Sequence, residues 1–169
     1  MGGTRQFLSK YLGKYNRRKG KLLIAAKIFR LYLIHFFALI AVALAAYYPG
    51  LDIVLSILYI TVLSLEAIYT ELGVKGKLIT AFSLHIPGLV LAAANIAGIT
   101  QWDLSNYALF ILQYWYIPLI PLISLLSFTT ETGTPLYHYI LLGLPFFMSI
   151  YYLVIMQIGI TKSTSASSN

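Results

Sequence analysis

Hydrophobic residues fall into five long runs along this chain, with short polar stretches between them. The runs cover roughly residues 27–48, 51–70, 78–99, 107–128 and 136–160. Each contains about 20 residues, the length that an α-helix needs to cross the hydrocarbon core of a bilayer. Short connections favour antiparallel packing of successive helices. The pattern therefore predicts an all-α, polytopic membrane bundle of five transmembrane helices over residues 27–160.

The residues before the first run, 1–26, predict a basic amphipathic helix. Their apolar side chains recur on one helical face, at Phe7, Leu8, Tyr11, Leu12 and Tyr15. The other positions carry the predicted membrane-surface contacts, which are Lys10, Lys14, Arg17, Arg18, Lys19 and Lys21. Such a helix lies in the interface and binds anionic lipid headgroups. At the other end, the Ser-rich residues 161–169 have no apolar pattern, and we expect them to be disordered.

The distribution of charge predicts the orientation in the membrane. Nine basic residues and no acidic residue precede residue 31, and cations near a span stay on the cytoplasmic side. Five crossings then place the N-terminus inside and the C-terminus outside, with Lys162 the one cation outside. The loop with Glu131 would be inside without a cation, which is the weakest point of this scheme. A plasma membrane is favoured, and an organelle inner membrane is the alternative. The residues Ala43 and Ala45 also resemble a signal-peptide cleavage site, but the apolar run is longer than such peptides have.

The composition excludes several classes of function. Of 169 residues, 59% are hydrophobic and 10% are charged, against about 25% charged in soluble domains. The chain has no cysteine, which rules out disulfides and thiolate metal sites. Its net charge of +7 is explained by lipid headgroups, so no nucleic-acid partner is expected. Only Glu66 of the five acidic residues lies well inside a run, so general acid–base catalysis has almost no candidates. We do not expect an enzyme.

Glu66 is the first candidate for a functional site, because a carboxylate within a span is costly and usually faces the protein interior. Polar and large side chains share its helical face along the second run, at Asp52, Ser56, Tyr59, Leu63, Glu66 and Thr70. This stripe could relay protons or cations, or form the polar wall of a cavity. The alternative is that Glu66 lies near the surface and pairs with Arg30, Lys75 or Lys77.

His85 and Asn95 lie on one face of the third run, together with Gly88 and Ala92. Small residues four apart allow another backbone to approach closely, so this face predicts a helix-packing seam. A sharper hypothesis is that His85 meets Glu66 and forms a titrating pair. We expect His35 to pack in the core and His138 to lie in an aromatic belt. No run has two histidines spaced for one metal, so no metal or cofactor is expected.

The fourth run contains Pro118 and Pro121. Proline removes a backbone hydrogen bond, and these two residues predict a kinked or broken helix. Gln113 and the aromatic residues 114–116 precede the break and could line a pocket, because broken helices are common at transporter binding sites.

These patterns favour a non-catalytic accessory or structural subunit of a larger membrane complex. Its partners would be the bilayer and either other membrane proteins or further copies of this chain. The alternative is a small transporter or ligand-binding membrane protein that uses the Glu66 stripe and the proline-kinked fourth helix. No motif assigns the chain to a family.

Overall fold

The chain folds as a bundle of helices in the computed structural model. The structure describes the backbone of residues 3–96, 102–126 and 136–166, and the side chains of residues 20–96, 107–126 and 136–158. The helices are α1 (Gly3–Ala45), α2 (Leu51–Ile68), α3 (Val74–Ile96), α4 (Trp102–Trp115), α5 (Ile120–Ser124) and α6 (Leu136–Ala166), with a 3-10 turn at Ile117–Leu119. No strand occurs in this described part of the chain. The prediction of an all-α fold is confirmed.

Helix α1 joins the basic segment to the first hydrophobic run without a break. No break in the helix marks residue 26, because good helix formers such as Leu, Ala and Lys continue the helix once it has started. The predicted boundary between an interfacial and a membrane-spanning part stays a prediction. Of the predicted surface contacts, Lys21 is exposed. The other side chains lie outside the described ones, namely those of Lys10, Lys14, Arg17, Arg18 and Lys19. Their location at the membrane surface stays a prediction.

Helices α1 and α2 form an antiparallel hairpin. Gly50 precedes α2 with a φ of 84°, a left-handed conformation that favours glycine. At the far end of the hairpin Lys27 contacts Glu66, and closer to the turn His35 contacts Tyr59. We call these two ends of the bundle the turn end, which holds Gly50, and the basic end, which holds Lys27 and Glu66.

Helix α3 runs parallel to α1. Gly76 lies against Ile24, and further along both helices the Tyr32 hydroxyl donates to the Ser83 carbonyl at 2.7 Å. The helix starts at Val74, four residues before the third hydrophobic run at 78–99. Lys77 is only 2% exposed because its ammonium group donates to a backbone carbonyl of α6.

Helix α6 runs in the direction opposite to α3. The Lys77 Nζ atom donates to the carbonyl of Met156 at 2.6 Å, which places this part of α6 at the basic end. The twenty residues of α6 before Met156 can pack along α3, as they do, only if they extend towards the turn end. The helix continues to Ala166. The backbone of residues 161–166 is helical, residues 167–169 lie outside the described ones, and the disorder expected for residues 161–169 stays a prediction.

The direction of α6 indicates where the ends of the long helices lie. Helix α3 ends and α6 begins at the turn end, whereas the start of the apolar part of α1 and Met156 of α6 lie at the basic end. In the described residues, four helices are long and apolar enough to cross a membrane, or five if the bent pair between α3 and α6 counts as one span. These long apolar helices are those of a membrane-spanning protein.

The helix between α3 and α6 is broken in its middle. Its two helical parts, residues 107–115 and 117–124, are bent by 62° at the break. Tyr116, at the break, reaches His85 near the middle of α3. Beyond the break, Pro121 and Ser124 lie beside Ala46 and Asp52 at the turn end. The predicted break at the two prolines is confirmed, and we call this α4–turn–α5 unit the broken pair.

Candidate functional site

The tip of the broken pair is held by a histidine from α1. In a continuous helix the carbonyl of Trp115 would accept the N–H of Leu119, but that N–H turns instead to the Tyr116 carbonyl at 2.8 Å. His35 Nε2 lies 3.1 Å from the freed carbonyl oxygen, and Nδ1 lies 2.7 Å from the Tyr59 hydroxyl. Since a carbonyl only accepts, Nε2–H donates to it and Nδ1 of the neutral ring accepts from Tyr59. One side chain thus ties α1, α2 and the broken pair together.

A second histidine, from α3, contacts the next residue of the tip. The Tyr116 hydroxyl lies 3.3 Å from His85 Nδ1, and the two rings are nearly parallel, at 12°. Gly88 makes room for this ring, because a Cβ atom there would lie 2.6 Å from the Tyr116 hydroxyl oxygen. The close approach at Gly88 is therefore made by an aromatic side chain, that of Tyr116, which lies between α4 and the 3-10 turn. Ala92 is buried along the same face.

Two buried ring nitrogens at the tip have no hydrogen-bond partner among the described residues. They are His85 Nε2 and Trp115 Nε1. Because His85 Nδ1 faces a hydroxyl that can donate to it, Nε2 is free to carry the ring proton, and both atoms then offer hydrogen. The Tyr152 hydroxyl lies instead beside Thr70 and Glu66, towards the basic end. Buried donors are normally satisfied, so these two nitrogens have the capacity to bind a molecule that accepts hydrogen bonds.

Glu66 lies in a separate cluster at the basic end. Its two carboxylate oxygens face Lys27 Nζ at 2.6 Å and Arg30 Nη2 at 2.9 Å. Lys27 also donates to the Glu66 backbone carbonyl at 2.7 Å. The structure therefore does not bring Glu66 and His85 together. Of the three partners considered from the sequence, Arg30 is found, whereas Lys77 turns to α6.

The remaining predicted site residues are spread over the bundle. Tyr59 is buried and belongs to the tip cluster, and Asn95 is half-buried near the end of α3. Gln113 is exposed on α4. His138 is exposed beside the ring of Tyr137.

Two contacts were not predicted from the sequence. His35 donates to the Trp115 carbonyl, and Lys27 is the main partner of Glu66. A histidine within an apolar run carries no local signal for the distant carbonyl it will meet. The contact between Lys27 and Glu66 could have been predicted. Lys27 begins the first hydrophobic run and Glu66 lies near the end of the second, and antiparallel packing brings these two ends together.

Among the pockets that described residues line, two lie along the α1–α2 hairpin. One, of about 360 Å³, lies at the turn end between the broken pair and the α1–α2 hairpin, and includes Asp52, Ile117 and Ser124. The other, of about 450 Å³, runs between α1 and α2 from Arg30 to Val42. Among the side chains that the structure describes, no three histidine or carboxylate groups are placed to hold a metal ion.

Comparisons with family models, with curated proteins and with solved structures give no match to this chain. The class that the fold defines is therefore a helical protein with the long apolar helices of a membrane-spanning protein.

Proposed function

We propose that the chain crosses the membrane four times, with α4 and α5 forming a re-entrant pair, and that both termini are cytoplasmic. This arrangement is supported by charge. It places all twelve Lys and Arg residues on the basic side and Asp52, Asp103 and Glu131 on the other side. The loop with Glu131 then needs no cation, because it is not cytoplasmic. Lys162, the exception under five crossings, joins the other cations inside.

Cysteine labelling tests this topology directly, since the chain has no cysteine of its own. The single substitutions Thr130→Cys and Ser163→Cys leave every charge in place. In intact cells, a membrane-impermeant maleimide labels Thr130→Cys, and labels Ser163→Cys only after permeabilisation. Five crossings predict the reverse pattern, and that result would disprove the re-entrant arrangement.

The function that the geometry supports best is a small, non-catalytic transporter or ligand-binding membrane protein, with its site at the tip of the broken pair. The observation that carries this proposal is the pair of buried donors at that tip, on His85 and Trp115, which have no partner among the described residues. Non-helical backbone at membrane depth is tolerated where it is buried in protein or lines a cavity, and such breaks mark transporter sites. Donors select acceptors, so the ligand is a small anion or a carbonyl compound.

An enzymatic role has no support from these side chains. Glu66 is paired with two cations, 2.6 Å and 2.9 Å away. His35 uses both ring nitrogens in helix-to-helix contacts. A general base must be free to take a proton from a substrate. Glu66 and His35 are therefore not free to act as general bases, and the proposal assigns His85 to binding.

Liposome swelling tests the proposal with urea, acetamide and sodium formate as probes. We expect purified protein in liposomes to speed the entry of at least one probe, and His85→Phe to abolish the increase. His138→Phe, at an exposed histidine, is the matched control and keeps the activity. The proposal is wrong if no probe enters faster than in empty liposomes, or if His85→Phe transports as the native chain does.

The accessory-subunit hypothesis keeps one specific observation in its favour. Gln113 is exposed near the middle of residues 107–124, flanked on the outer surface by Phe110 and Tyr114. A primary amide facing lipid is costly, and amides in membranes hydrogen-bond across helix contacts. This surface suits a neighbouring helix.

Photo-crosslinking distinguishes this second candidate from the first. A benzophenone amino acid at Phe110 is expected to capture one defined chain in the native membrane, and the same group at the exposed Ile150 of α6 is not. Equal, heterogeneous labelling at both positions would remove the support for a partner at Gln113.

A further inference from the structure

The groove between α1 and α2 has the form of a site for a lipid chain. Its walls are apolar side chains from both helices, among them Leu33, Phe37, Ala41, Leu58 and Val62. Its volume of about 450 Å³ lies within the range of ligand pockets, about 300–1,000 Å³. Phe37 and Leu58 are 62% and 54% exposed, so the groove is open along its side to the surroundings of the bundle.

The groove carries a cation at one end only. Arg30 lies at the basic end, with its side chain 67% exposed although one of its nitrogens pairs with Glu66. A guanidinium group has five N–H donors, so donors remain for another anion. Lys27, Arg30 and Glu66 together carry one net positive charge. Arginine is well suited to phosphate, because its planar fork matches the phosphate oxygens.

The groove is long enough for one acyl chain. From Arg30 to Val42 the α1 helix advances by twelve residues, which is about 18 Å. An acyl chain spans one half of the hydrocarbon core of a bilayer, about 15 Å. A chain that starts at headgroup level beside Arg30 therefore fits within the groove, which continues past the midplane because α1 ends only three residues after Val42, at Ala45.

We propose that this groove binds one acyl chain of an anionic glycerophospholipid from the cytoplasmic leaflet, with the lipid phosphate against Arg30. The second acyl chain stays in the bilayer, because the groove is open at its side. The floor of the groove includes Tyr59, whose hydroxyl contacts His35 at the tip of the broken pair. A bound lipid thus stiffens the contact of α1 with α2 beside the candidate site. The leaflet rests on the proposed orientation, which cysteine labelling tests separately.

Native mass spectrometry tests the proposal with dioleoyl phosphatidylglycerol and dioleoyl phosphatidylcholine as probes. The native chain is expected to retain one phosphatidylglycerol in preference to phosphatidylcholine. Arg30→Gln lowers that preference about fivefold, the effect of one cation near a membrane surface. Lys21→Gln, at another exposed cation of α1, is the matched control and leaves the preference nearly unchanged.

Filling the groove tests its apolar part independently of charge. Ala41→Phe and Val62→Phe, one from each wall, are expected to reduce retention of both lipids. Ala93→Phe, at an exposed alanine of α3 outside the groove, does not. Undiminished phosphatidylglycerol in a folded groove-filling variant overturns the proposal. Equal retention of the two lipids by the native chain, or displacement of phosphatidylglycerol by free oleate, overturns it as well.

Discussion

Replacing Glu66 by glutamine removes the negative charge that Lys27 and Arg30 share at the basic end. The Lys27 ammonium group then remains between α1 and α2 without a counter-charge, since its side chain is only 14% exposed. Removing one partner of a fully buried ion pair costs about 3–5 kcal/mol. The pair here retains some access to solvent, and glutamine still offers a carbonyl oxygen to Lys27. Arg30 is too exposed to add much. We therefore expect a loss of about 2–3 kcal/mol.

The melting curve of the purified protein in detergent, followed by tryptophan fluorescence, measures this loss. Trp115 reports on the bundle because its ring packs against His35, with centroids 4.6 Å apart. The expected fall in melting temperature is about 5–10 °C. Glu71→Gln, at an exposed carboxylate, is the matched control and changes the melting temperature little.

A double-mutant cycle with Lys27→Met then separates the pair from its surroundings. Losing both charges is expected to recover about 2 kcal/mol relative to the sum of the single losses, because no uncompensated charge stays between the helices. Additive losses, within about 0.5 kcal/mol, would refute the reasoning that the two side chains form a stabilising pair.

Three further substitutions have expected outcomes in the same melting assay, with Gly73→Ala as their common control because a Cβ atom there meets nothing within 4 Å. Gly88→Ala should destabilise by about 1–3 kcal/mol, because the new methyl group displaces the Tyr116 ring; an unchanged melting temperature contradicts that contact. Gly50→Ala should cost about 1–2 kcal/mol because of its positive φ, and a neutral result would mean that the turn relaxes. Lys77→Met should leave stability unchanged or raise it, since a buried charge is replaced by an apolar side chain of similar length. A fall of several degrees would show instead that the bond from Lys77 to α6 stabilises the bundle.

The helices themselves could be predicted from the sequence because each depends on local features. Runs of apolar residues predicted the all-α fold, and Pro118 and Pro121 predicted the break in the fourth run, where the structure bends by 62°. Gly50 follows Pro49 at the predicted end of the first run. Proline geometry and a left-handed glycine act over three or four residues, which a reader of the sequence can see.

The threading of the chain could not be predicted in this way. The direction of α6 depends on which helix the Lys77 ammonium group reaches, and that contact joins residues 79 apart in the chain. The tip cluster likewise joins His35 to a carbonyl 80 residues away. Such contacts follow from packing of the whole bundle, so no local sequence pattern predicts them. Hydrophobic length alone does not distinguish a broken crossing from the re-entrant pair that we propose.

A hydrophobic run shows that a segment can enter a bilayer, but it does not show on which side the segment leaves. For the run at residues 107–128, two other properties of the sequence bear on that question. Its helix is interrupted, and an interrupted helix can turn back where its free carbonyls find partners in the protein. The loop that follows it contains Glu131 and no cation, which is unfavourable on the cytoplasmic side. Taken together, a central proline pair and a cation-free loop favour a re-entrant segment over a crossing. Such a segment needs a hydrogen-bond donor for its freed carbonyl. In this structure the donor is His35, whose Nε2–H group donates to the carbonyl oxygen of Trp115.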